Sequence, residues 1–215
     1  MLELAVYGGP EVEQALRATF ADVTSAPVEP GWEDNWRAFH RSVEIGKLWV
    51  GPPWDEPAEG FLPVVIDPGG AFGTGAHPTT RLCLELLQEV EPASLLDLGC
   101  GSGVLAIAAE RLGFSPVLAL DNDPEAIEAT LTNAVANGAR PDVRLADVLD
   151  ATLPAVDVVA CNISFQALEE LAPRLRCKML VASGFLASDQ PVLTGFELVE
   201  RREQQEWAGL LARRA

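Results

Sequence analysis

The run Leu96-Asp97-Leu98-Gly99-Cys100-Gly101-Ser102-Gly103, with Asp121 ending the next apolar run, carries most of the chemical information in this chain. Glycines have no Cβ, so the backbone of Gly99, Gly101 and Gly103 can approach a ligand closely and take positive φ. The spacing Gly-x-Gly-x-Gly departs from the dinucleotide fingerprint G-x-G-x-x-G, whose third glycine falls one place later. Asp121, about 20 residues beyond the turn, is placed to accept both hydroxyls of a ribose. Asp147, after the third strand of the series, is placed to approach an adenine edge.

Asp97, just before the turn, suits a cationic ligand group and would repel a pyrophosphate. The ligand that fits is S-adenosyl-L-methionine, which carries an ammonium, a sulfonium and no phosphate. The competing explanation for the glycines is tight strand–helix packing alone.

The elements that must hold these residues can be read from periodicity and punctuation. A short strand is expected at 2–7, a helix at 10–20 with Pro10 in its first turn, and a strand at 43–50. Four of the five tryptophans fall between 32 and 54, where packing and linker contacts explain them better than a ligand cage. The stretch 51–57 is turn-rich punctuation. Beyond it the chain alternates: strand 62–66, a glycine-rich loop to His77, helix 78–89, strand 94–98, helix 104–112, strand 116–120 and helix 124–137. Strands at 143–145 and 156–161, helix 165–175 and strand 178–183 come next. Such a rhythm with apolar strands predicts a parallel sheet covered on both faces. The tail differs, because strands 196–204 and 207–212 are joined by almost nothing, and so short a link connects antiparallel neighbours.

Bulk composition narrows the function. The 215 residues suffice for one α/β domain and a modest extension, and 48% hydrophobic against 22% charged residues favours a packed core over disorder. Fifteen Lys and Arg against 32 Asp and Glu leave a net charge of −17, which disfavours nucleic acid and anionic membranes and favours a basic protein or a cation. An acidic surface serving only solubility is the plain alternative. Cys83, Cys100, Cys161 and Cys177 are scattered through apolar runs, as expected of reduced, buried thiols, and with two histidines a structural zinc site is not expected. The first residues lack the basic and apolar regions of a signal peptide, and no run approaches a membrane span. A soluble, cytoplasmic, monomeric protein is expected.

The stretch Asp67-Pro68-Gly69-Gly70-Ala71-Phe72-Gly73-Thr74-Gly75-Ala76-His77-Pro78-Thr79-Thr80 resembles the signature loop of the PrmA family, methyltransferases of the ribosomal stalk-base protein L-eleven. The similarity continues through Leu96 to Gly103, Asp121-Asn122-Asp123-Pro124, Cys161-Asn162-Ile163 and Glu206-Trp207. It implies a Rossmann-like, class I S-adenosylmethionine-dependent fold: a mostly parallel seven-stranded sheet with a C-terminal antiparallel hairpin and a small N-terminal α/β extension. The corresponding division is a reduced substrate-recognition remnant at 1–24, a connection at 25–60 and a catalytic domain at 61–215. The family's N-terminal recognition domain looks cut down here, and the helix expected between 183 and 196 looks abbreviated.

By the same resemblance, Phe72 and Thr80 border the cofactor, Gly99 meets its methionine end, Asp121 holds the ribose, and Asn162 lies between cofactor and substrate. The implied activity is transfer of methyl groups to nitrogens of the stalk-base protein, those of lysines first and an α-amino group second. Asn162 follows a strand, so its amide should project at the carboxyl edge, where it could orient an amine without pairing with it as an ion. A turn residue closing the strand is the other explanation. His77 could touch substrate, accept a proton, or brace the loop. Thr79 and Thr80 could cap the following helix, and Phe72 could pack over the cofactor or fill core. Two other functions keep the fold: a methyltransferase for another protein or a small amine, and a noncatalytic cofactor-binding module.

Overall fold

Gly46 and Lys47 divide the first apolar stretch, expected as one strand at 43–50, into two. Gly46 has φ +57, a turn conformation, so β1 (Val43–Ile45) folds back antiparallel on β2 (Leu48–Gly51). The structure, a computed structural model, describes residues 10–20, 23–24, 40–68, 73 and 75–215. Two units are distinguished, 1–39 and 40–215. In the first, α1 (Pro10–Thr19) carries an Arg17–Glu13 ion pair at 2.7 Å. The strand expected at 2–7, Trp32 and Trp36 lie outside the described residues.

The second unit begins at His40, and β1 and β2 form one sheet with the strand after them. That third strand, β3 (Leu62–Val65), runs parallel to β2 and completes the order β1-β2-β3. The alternating pattern suggests that β3 belongs to the main parallel sheet, and it does not. Its far edge is covered by a side chain instead: Asn137 donates from Nδ2 to Val65 O at 2.6 Å and accepts from Val65 N at 2.8 Å. One amide thus satisfies both backbone groups that a neighbouring strand would otherwise take.

The main sheet has seven strands: β4 (Leu95–Leu98), β5 (Val117–Asp121), β6 (Asp142–Leu145), β7 (Val158–Asn162), β8 (Met179–Leu186), β9 (Phe196–Gln204) and β10 (Trp207–Arg214). Their order is β6-β5-β4-β7-β8-β10-β9. Strands β4 to β8 are mutually parallel, whereas β10 is antiparallel to both β8 and β9, as the two-residue link at Gln205 and Glu206 requires. Strand β8 runs on to Leu186, three residues past the expected end, because β10 continues to pair with it.

Helices cover both faces. On one side lie α2 (Pro78–Leu87), α3 (Val104–Arg111) and α4 (Pro124–Asn137), packed with Leu95, Val117, Val158 and Val181. On the other, α5 (Phe165–Leu171) buries Leu168 and Leu171 against Leu96, Leu98, Val159 and Leu180. Helix α5 is shorter than the expected 165–175 and passes into a 3₁₀ turn at Ala172–Arg174, where Pro173 has no N–H to offer. Gly209 lets α2 approach β10: a Cβ there would lie 2.9 Å from Leu82 Cβ. Between β8 and β9 no helix forms. All four cysteines are free and buried, and no helix among the described residues is long and apolar enough to cross a membrane.

Candidate active site

Because β4, β5, β6 and β7 run parallel, their carboxyl ends share one rim. The chain steps from β4 outward to β5 and β6, then returns to the opposite side for β7, and it is where the direction reverses that open α/β sheets bind ligands. The glycine turn lies there. Gly99, Gly101 and Gly103 all have positive φ, at +73, +54 and +82. Gly99 N and Cys100 N both donate to Leu120 O, at 2.8 and 3.0 Å, which fastens the turn to β5. Two of the glycines are also needed for space. A Cβ at Gly99 would stand 3.0 Å from Ile163 Cγ2, and one at Gly103 would stand 2.9 Å from Thr130 Cγ2.

Gly103 is the N-cap of α3 and has no side chain to cap with. Asp97 supplies that function from inside β4, accepting from Ala106 N at 3.0 Å through Oδ2. Its Oδ1 has no hydrogen-bond partner among the described residues, and the residue is fully buried. Burial pushes this carboxyl up to about 7 against the opposing effect of the Ala106 N–H, with the Asp121 charge adding to the rise.

Asp121, at the end of β5, is half-buried. Its Oδ2 accepts from Gly101 N at 2.9 Å and its Oδ1 from Asp123 N at 3.0 Å, so the acid is held rigidly beside the turn. Ala146 N donates to Asp121 O at 2.7 Å and brings the segment after β6 alongside. The next residue, Asp147, is exposed, and its Oδ1 accepts from Leu149 N at 2.9 Å.

Across β4, Asn162 ends β7 and pairs in register with Ser183. It is half-buried, and its Nδ2 donates to Thr80 Oγ1 at 3.3 Å. Thr80 is fully buried in the first turn of α2, so it reaches the rim through Asn162. His77 is the N-cap of that helix: its Nδ1 accepts from Thr79 N at 3.3 Å and lies 2.7 Å from Thr79 Oγ1. A neutral imidazole accepting at Nδ1 carries its proton on Nε2. Loss of hydration lowers the His77 pKa, partly offset by the Glu206 charge, and Trp207 packs edge-to-face on the ring at 4.9 Å. The imidazole thus caps α2. Phe72 lies outside the described residues.

Several further residues shape this rim without a motif to announce them. Thr130 Oγ1 donates to Gly101 O at 2.9 Å, and Asn133 Nδ2 donates to Ser102 O at 2.9 Å. With Asn137 they form a polar stripe along the buried face of α4, spaced three and four residues apart. That spacing is a readable signal, since polar residues on a helix's inward stripe must be bonded to something. Gly184, in β8, has φ +102, and a Cβ there would fall 2.2 Å from Ile163 O. Only a glycine admits that carbonyl beside Asn162.

Two acidic side chains, Asp97 and Asp121, border the glycine turn, which disfavours a phosphate ester there. A model of the family described as ribosomal protein L11 methyltransferase (PrmA) matches residues 11–215. The chain belongs to the PrmA family.

PrmA relatives include the ribosomal protein L11 methyltransferase of Symbiobacterium thermophilum, 39% identical over 200 residues covering 86% of this chain and 66% of that protein. The Edwardsiella ictaluri protein of the same description is 39% identical over 219 residues, covering 94% of this chain and 74% of its own. This chain spans about two thirds of the length of several such relatives. A crystal structure described as ribosomal protein L11 methylase from Lactobacillus delbrueckii subsp. bulgaricus superposes with a TM-score of 0.74 at 29% identity, covering 81% of this chain and 99% of that one. TehB from Haemophilus influenzae, at 16% identity and a TM-score of 0.51 over 62% of this chain and 61% of its own, shares the fold alone. The fold is the Rossmann-like methyltransferase sheet with its C-terminal antiparallel hairpin.

Proposed function

We propose that this chain is an S-adenosylmethionine-dependent protein N-methyltransferase that modifies lysine nitrogens, with α-amino nitrogens as a second class, of ribosomal protein L11 at the base of the large-subunit stalk. What supports this reading is the position of Asn162, a neutral amide ending β7, on the other side of β4 from Asp121, which ends β5. The names of the PrmA relatives support the substrate.

When bound, S-adenosylmethionine supplies a methyl group on a positively charged sulfur. Asp121 would hold the ribose hydroxyls through lone pairs left by Gly101 N and Asp123 N. The glycine turn would admit the methionine end, two residues beyond the buried Asp97 carboxyl. A lysine amine must first lose a proton, which costs about 4–5 kcal/mol at neutral pH. The bound sulfonium would supply the methyl carbon to that neutral amine and keep the electron pair of the broken carbon–sulfur bond, and the methylated nitrogen would shed a proton to solvent. Asn162 Oδ1, accepting an N–H of the amine, would aim its lone pair without stabilising the ammonium as a carboxylate would. Positioning of this kind can supply most of the acceleration, because the sulfonium is already electrophilic. The net charge of −17 would draw a basic protein substrate in the cytoplasm.

Incubation of the chain with S-adenosylmethionine and purified L11, followed by mass spectrometry, tests this directly. The expected result is methyl-sized mass increments on lysine peptides of L11. An unmodified L11 beside a chain that turns over the cofactor on another protein or a small amine would redirect the substrate.

A further inference from the structure

Ser102 sits between two glycines of the cofactor turn, where ligand approach asks for nothing from its side chain. The hydroxyl is nevertheless almost fully buried and donates to Gly73 O at 2.6 Å, across 29 residues of sequence. Gly73 has φ +103, and a Cβ there would crowd Ser102 Oγ at 3.1 Å, so the glycine admits this bond. The backbone of Ser102 is held too. Asn133 donates from Nδ2 to Ser102 O at 2.9 Å and accepts at Oδ1 from Asp67 N at 3.0 Å. Ser102 is therefore joined to the segment leaving β3 at two points, directly at Gly73 and through Asn133 at Asp67.

We infer that Ser102 and Asn133 are positioning residues that act as one unit, holding Asp67 and Gly73 against the glycine turn and so setting the width of the donor site. The inference rests on the proposed methyltransferase site and extends it to two residues that would not touch the cofactor. Beyond Gly73 the same segment is wedged at Gly75, where a Cβ would stand 2.5 Å from Val50 Cγ1, and then enters the His77 cap and the Thr80–Asn162 bond. Gly73 and 75–80 thus carry hydrogen bonds at both ends, to Ser102 in the glycine turn and from Asn162 to Thr80. A buried hydroxyl serving only to fill space would be replaced by alanine at little cost, and its bond to a distant carbonyl is what argues otherwise.

The test measures S-adenosylmethionine affinity by calorimetry and amide hydrogen exchange in the full chain, for wild type, Ser102→Ala, Asn133→Ala and the double variant. Each single variant should weaken binding about tenfold, the equivalent of one buried hydrogen bond, and the double variant should lose little more than either single. Exchange should rise at Asp67 in Asn133→Ala, and at 75–80 in Ser102→Ala, with no cofactor present. Binding within twofold of wild type in both single variants, or losses that simply multiply in the double variant, overturns the inference. If Ser102→Ala does not fold, Asn133→Ala carries the same two measurements. A wild-type chain that fails to bind the cofactor sinks the proposed function instead. The tether then stands or falls on the exchange of 67–80.

Discussion

Asn162 and Thr80, 82 residues apart in sequence, meet in a 3.3 Å hydrogen bond from the amide Nδ2 to a hydroxyl that has no exposure to solvent. The bond uses the amide's donor end and leaves its oxygen directed away from Thr80. A methyl acceptor needs that oxygen in one orientation, and a freely rotating amide would present a donor half of the time. Thr80→Val keeps the volume and removes the acceptor. It should lower kcat about tenfold, with cofactor affinity changed far less, because a single hydrogen bond orients the group. Asn162→Ala should cost more in kcat, again sparing cofactor binding. Steady-state kinetics beside calorimetry separates the two effects, and a Thr80→Val enzyme with unchanged kcat would detach Thr80 from the acceptor site.

Asp121, proposed above to hold the ribose, also fastens Gly101 and Asp123. Asp121→Ala should therefore weaken S-adenosylmethionine binding by about 10- to 100-fold, the range for losing a hydrogen bond to a charged group. Calorimetric titration checks this, and affinity within twofold of wild type would remove Asp121 from the cofactor site.

The buried Asp97 carboxyl makes stability depend on pH in an unusual direction. In the unfolded chain an aspartate ionises near about 3.9, whereas burial holds Asp97 protonated up to about 7. Between these values the folded chain binds more protons than the unfolded one, so this group's contribution falls as pH rises from about 4 to about 7. Urea unfolding of wild type and Asp97→Asn across that window should show a slope in the wild type that the variant lacks. Identical slopes would mean that Asp97 is already ionised in the folded chain.

His77 carries the opposite sign. Its folded pKa is lowered, so its contribution is complete above about 6.5 and is lost as pH falls below that, when Nδ1 becomes protonated and can no longer accept from Thr79 N. Asparagine is a favoured N-cap residue, so His77→Asn should retain both stability and activity. His77→Ala should lose about 1 kcal/mol of stability. Loss of activity in a stable His77→Asn variant would assign the imidazole a direct part in proton transfer.

Much of this molecule is local in origin. Apolar periodicity located the helices and strands of the main sheet, α4 to the residue, because each strand–helix alternation is written in adjacent residues. The glycine turn and its two acids were legible from spacing, and the terminal hairpin from a link too short for any other connection. Tertiary structure alone decided what distant residues satisfy. The sequence did not show that β3 leaves the main sheet to pair with β2, or that Asn137 takes the place of its missing neighbour. Nor did it show that Asp97 caps a helix with no capping side chain, that Ser102 ties down Gly73, or that Thr80 orients Asn162. Each of these is a hydrogen bond between a buried donor and acceptor far apart in sequence or in different elements. Which partners meet is fixed only when the elements pack, since periodicity tells which face of an element is inward but not what waits there.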